Sequence, residues 1–281
     1  MSSLAAAPSV PTGFTLWRRQ ARAVVRLELA KIFSAWGSVA LLFLGFAPAA
    51  IIAVHAIYDR GCNLQSDTLV LASIVQFFYA RVAIFFGCLA IAMRAVQGDV
   101  AEKTLHYVFL APVRREVLIV GKFFGGVTTA IAHFGLGVLT SSVLMYAHFR
   151  AGRAFVAQGA GLGHLGAYLL VAALACLGYS AVFLAMSLLF KNPALPAMIF
   201  LLWETLNPIL PPWLKHLSVA FYLKSLYPVE LPLAGFGSLF AVVAEPTPAW
   251  LAVTGLVVFS GAVLAFACWR IRRFEVSYGV D

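Results

Sequence analysis

Six apolar runs dominate this chain, at roughly 35–57, 68–93, 123–149, 162–190, 193–213 and 249–269. Each is long enough to cross a hydrocarbon core as a helix, which takes about 20 residues. Within lipid every backbone amide and carbonyl needs a partner inside the protein, so only helices and closed barrels span. A barrel would show short segments of alternating hydrophobicity, and these runs are continuous. Composition agrees: 62% of the 281 residues are hydrophobic and 11% are charged, against about 25% charged in soluble domains. A water-soluble enzyme and a disordered chain are excluded. The expected fold is an all-α integral membrane protein with six transmembrane helices.

The basic residues orient it. Arg18, Arg19, Arg22, Arg26 and Lys31 precede the first run, and Arg94, Lys103, Arg114, Arg115 and Lys122 lie around the connection between the second and third. Lys191, Arg270, Arg272 and Arg273 fall on the same side if both termini are cytoplasmic, whereas only Arg60, Arg150, Arg153, Lys215 and Lys224 fall outside. Excess Lys and Arg mark cytoplasmic loops, so a plasma (inner) membrane location with both ends inside is expected. This also accounts for the formal net charge of +9 without nucleic acid. Residues 1–13, rich in Ala, Ser and Pro, read as a disordered leader. Residues 14–34 mix apolar and basic residues as an amphipathic interfacial helix does, a cytoplasmic extension of the first span being the alternative. Residues 35–281 form the six-helix domain.

Two connections are longer than a simple turn. The outer one, 214–248, is broken by Pro228, Pro232, Gly235 and Gly237, which prevents a single helix. It should form short helices that sit at the interface or dip back in. The cytoplasmic one, 94–122, is more informative. Asp99 followed by Glu102 reads as a capped helix start. Ala101, Leu105, Val108 and Phe109 then make one apolar stripe at helical spacing, and Pro112 stops the helix. Such a stripe must be buried against lipid headgroups or against a groove on a partner.

Glu102, Thr104, Leu105, Pro112, Arg114, Gly121 and Lys122 together resemble the signature of the membrane subunits of type-2 ABC transporters. The elements are an acidic residue, a Thr-Leu pair, Pro-x-Arg and a Gly-Lys entering the next span. Lys103 stands where that family usually has Gly. The resemblance implies a coupling helix over 98–110 seated on a cytoplasmic ABC ATPase subunit, with Asp99, Glu102, Thr104, Leu105, Val108, Phe109, Pro112 and Arg114 as coupling residues. It also implies a second permease subunit, identical or not, and lipid surroundings. ATP and Mg would be bound by the ATPase. This chain has no cofactor of its own, because 98–104 lacks the second Gly of a P-loop.

Arg81 and Glu204 are charges at matching depth inside the second and fifth runs. A lone charge there costs about 2.5–3.5 kcal/mol or more, so they are expected either to pair with each other or to line a substrate path with Asn207. Asn207-Pro208 and Pro211-Pro212 should break the fifth helix near the outer face. Gly121 and Gly125 have the spacing that lets helices approach closely. Cys62, Cys88, Cys176 and Cys268 and the outer histidines lack metal-ligand spacing, so no metal is expected. Catalytic motifs of intramembrane enzymes are absent. The expectation is an exporter permease for a lipid, drug-like or other hydrophobic substrate. The alternative is a non-transporting scaffold or signal transmitter that acts on an outer partner.

Overall fold

A computed structural model describes residues 13–33, 37–58, 63–99, 114–207, 211–231 and 248–273. Among the described residues, five helices are long and apolar enough to cross a membrane. In order, α1 is Phe14–Phe33, α2 Gly37–Tyr58 and α3 Leu64–Gly98, followed by α4 Arg115–Ala147, α5 Arg150–Gln158 and α6 Gly161–Leu189. Then come α7 Ala194–Leu206, α8 Pro212–Lys215, α9 Val219–Lys224 and α10 Ala249–Arg272. The candidate spans are α2, α3, α4, α6 and α10.

Most of α6 and α4 is buried inside the bundle, whereas α2 and α10 are largely exposed at its periphery. The core is aromatic. Phe85 of α3 packs edge-on against Tyr179 and Phe183 of α6, and Phe134 of α4 fills the space that a side chain at Gly87 would need. Exposed Phe43 and Ile51 on α2, Leu195 and Ile199 on α7, and Val258 on α10 form the apolar exterior that a membrane chain requires.

The fifth run departs from expectation. It yields α7, a helix of 13 residues and about 20 Å, too short to cross a core of about 30 Å. Asn207 closes it, and Pro208, Pro211 and Pro212 follow, each lacking the amide that would continue the ladder. The chain then turns back. A Cβ on Gly178 of α6 would meet both Val219 at the start of α9 and Leu256 of α10. Gly178 and Leu256 lie about 16 and 24 Å along the helix axis from the C-terminal ends of α6 and α10, well inside the bundle. Among the described residues this stretch forms two short helices, α8 and α9, and α9 packs against α6 and α10.

Interhelical contacts use small residues and polar side chains. A Cβ on Gly121 would lie 2.7 Å from Val24 Cβ, and one on Gly125 2.9 Å from Glu28 Cβ. The paired glycines are therefore where α1 crosses α4. At Gly137 a Cβ would meet the Gly45 carbonyl oxygen of α2. Pro48 interrupts α2, and side chains donate to carbonyls just before it: Tyr79 to Gly45 at 2.8 Å and His133 to Leu41 at 2.6 Å. Part of α3, Ile74–Ala83, is π-helical. Within it Gln76 donates to the Val229 carbonyl at 2.8 Å, tying α3 to the chain beyond α9.

Candidate functional site

Two buried polar centres stand out, one at the basic end of the bundle and one at mid-depth.

At the basic end Lys122, about two turns into α4, is 3% exposed. Its ammonium donates to Glu28 of α1 at 2.7 Å, to Asp99 at 2.7 Å and to the Ala95 carbonyl of α3 at 2.6 Å. An ammonium has three protons, and all three are used. Lys31 donates to the other Asp99 oxygen at 2.6 Å and lies 3.7 Å from Glu28. The quartet is neutral, and it joins α1, α3 and α4. Burial opposes the ionised form of Asp99, but Lys122 and then Lys31 outweigh it and hold the carboxyl below the ordinary range.

Neighbouring bonds extend this connection. Gln97 donates to the Ser187 and Phe190 carbonyls at 2.9 and 3.0 Å, satisfying the open C-terminal end of α6. The Arg114 guanidinium lies 4.8 Å from the Trp17 ring centroid, in cation–π range. Arg272 of α10 reaches Glu116 of α4 at 2.6 Å.

Asp99 has a helical backbone, at φ −65° and ψ −30°, and the amides it is expected to cap lie outside the described residues. Its carboxylate is occupied by two lysines. Glu102, Thr104, Leu105, Val108, Phe109 and Pro112 lie outside the described residues, so the expected coupling helix does too. Only the two ends of that segment, Asp99 and Arg114, are placed.

The second centre is Glu204, 3% exposed. One carboxylate oxygen accepts from the amides of Val219 at 2.9 Å and Ala220 at 3.2 Å and from the Ser218 hydroxyl at 3.3 Å. The other accepts from the Tyr179 hydroxyl at 2.5 Å. Ser218 in turn caps α9 by accepting from the Phe221 amide. A helix that starts inside the bundle carries open amides there, each costing several kcal/mol if left bare in an apolar interior. Glu204 closes two of them.

Arg81 lies in the π-helical part of α3 and acts on Glu204 through space. Asn207 is fully buried, with Nδ2 donating to the Lys215 carbonyl at 3.3 Å. Its Oδ1 has no partner. The three expected path residues thus lie around one turn.

Sequence reasoning missed Glu28, Tyr179 and Ser218. Glu28 had a readable signal, being an acidic residue on the same helical face as Val24 in an otherwise basic segment. Tyr179 had none, because one tyrosine in an apolar run has no marked partner. Among the described residues no group of three His, Cys, Asp or Glu is arranged to hold a metal, and Cys88, Cys176 and Cys268 are free.

No protein-family model matches this chain, and no characterised protein matches it significantly.

Proposed function

We propose that this chain is the transmembrane subunit of an ATP-driven exporter of the type-2 ABC class. It moves a lipid, drug-like or other hydrophobic substrate by alternating access, and a separate ATPase chain binds ATP and Mg. In this reading the basic end is cytoplasmic and the chain crosses six times, the fifth crossing being broken at Asn207. Two permease subunits, identical or not, make up the membrane unit.

One observation carries the reading: Asp99 and Lys122, on either side of segment 100–113, are bonded to each other and to α1. A push on the segment is then delivered to α1, α3 and α4 together rather than absorbed by a slack loop. Switching between two states needs an element of this kind that shifts as a unit. The resemblance of the intervening residues to a coupling helix supplies the partner. Arg81, Glu204 and Asn207 form the candidate substrate path, because a broken helix inside a membrane commonly lines a cavity.

Co-purification with an ABC ATPase subunit tests the coupling. Leu105→Asp and Phe109→Asp should release the ATPase while leaving the permease in the membrane. Retention of the ATPase by both variants would sink the reading. ATP-dependent substrate movement in vesicles separates an exporter from a signal transmitter.

A further inference from the structure

We propose that the cleft between α1, the basic end of α3 and α4 binds the phosphate of an anionic phospholipid, with Arg94 and Lys31 as its cationic ligands. The cleft is lined by Glu28, Lys31, Arg94 and Lys122, with Ile91 and Gly126 as apolar wall. Its charges are unequally engaged. Lys122 is sealed in by three acceptors, and with Lys31 it neutralises Glu28 and Asp99. Arg94 adds a further positive charge, is exposed, and has no carboxylate partner among the described residues. Lys31 sits at the mouth, with its side chain 35% exposed against 3% for Lys122, so it can turn outward without unpacking the helices.

Position favours a lipid as the source of the phosphate. Arg94 directly follows the apolar stretch of α3, at the depth where headgroups begin. Leu27 of α1 and Phe124 of α4 are each about half-exposed, giving acyl chains an apolar surface on the helices that form the cleft. Basic residues at this level attract anionic headgroups by about 1 kcal/mol each. The cleft is narrow in this state, so binding requires Lys31 to move from Asp99 to the phosphate. Asp99 would then lose its bond to Lys31 while keeping the one to Lys122, and membrane composition would set how firmly the end of α3 is tied to α1. The site itself does not depend on the ATPase assignment.

The full chain in phosphatidylcholine nanodiscs, with or without phosphatidylglycerol, provides the test. Native mass spectrometry should show phosphatidylglycerol retained on the wild type in preference to phosphatidylcholine. The double variant Lys31→Gln with Arg94→Gln should lower that preference roughly ten- to thirty-fold. Arg94→Gln alone, which leaves the buried quartet intact, should lower it several-fold. Arg150→Gln, in α5 just beyond the opposite end of α4, should leave it unchanged. Equal preference in wild type and both site variants overturns the proposal. Phosphatidylglycerol should also protect Lys31 from acetylation, while inorganic phosphate added to phosphatidylcholine discs should not. Equal protection by inorganic phosphate overturns the lipid assignment.

Discussion

The Lys122 ammonium lies 2.7 Å from an Asp99 carboxylate oxygen, so the two flanks of segment 100–113 are bonded across the gap it spans. The contact is almost fully buried on both sides. It therefore behaves differently from an ion pair on the surface, and it sets the first prediction.

Lys122→Met should destabilise the folded chain by about 3–5 kcal/mol, the usual result of leaving buried charges without their partner. Here two carboxylates, Glu28 and Asp99, lose their shared donor. Arg272→Ala removes the Glu116 pair, but Arg272 is 66% exposed, and such pairs contribute about 0–1 kcal/mol. Thermal unfolding in detergent should rank the two variants clearly. Equal effects would contradict the burial argument.

The same cluster predicts a response to acid. The folded carboxyl of Asp99 is held below its unfolded value, which is about 3.9. Its contribution to stability is therefore present above that value and disappears as pH falls through the lower folded one. Wild type and Asp99→Asn should differ in unfolding temperature at neutral pH and converge below about pH 4. A difference that persists unchanged into acid would mean that the carboxylate charge is not what Lys122 and Lys31 stabilise.

Glu204→Ala should open the start of α9. The amides of Val219 and Ala220 would lose their acceptor, at about 1–3 kcal/mol for each buried group left unsatisfied. Hydrogen exchange at these two amides should accelerate well before the rest of the bundle opens. Glu204→Gln keeps one carbonyl oxygen for the amides and should lie between wild type and Glu204→Ala. If both variants exchange at the wild-type rate, Glu204 is not the cap.

Packing of α1 on α4 can be tested with glycines. Gly121→Ala and Gly125→Ala place a Cβ within 2.7 and 2.9 Å of α1 atoms, and overpacking of this kind costs about 1–3 kcal/mol. Gly135→Ala on the same helix meets nothing within 4 Å and should be neutral or raise stability slightly. Thermal unfolding together with a disulfide crosslink between α1 and α4 would separate displacement of α1 from general loss of stability.

Much of this could be read before any coordinates. The run at 162–190 became α6, Gly161–Leu189, and the segment at 14–34 became α1, Phe14–Phe33, because hydrophobicity and helical periodicity are local properties. The fifth run is legible only in part, because hydropathy averages over prolines. Its mean apolarity suits a span, whereas the helix within it ends after 13 residues, just before Asn207-Pro208 and Pro211-Pro212.

Residue order alone decided that this chain is a helical membrane protein, where its apolar helices lie, and which charges are unusual enough to need an explanation. Those are consequences of transfer free energy summed along a segment. Which charge meets which could only come from how the helices cross. Asp99 reads locally as a cap, while two of its partners are 23 and 68 residues away. Glu204 was expected either to pair with Arg81 or to line a substrate path, and the structure adds that its carboxylate is held by Tyr179, Ser218 and the backbone at the start of α9. A buried polar group takes whatever donor the packing brings within about 3 Å, and sequence distance carries no information about that.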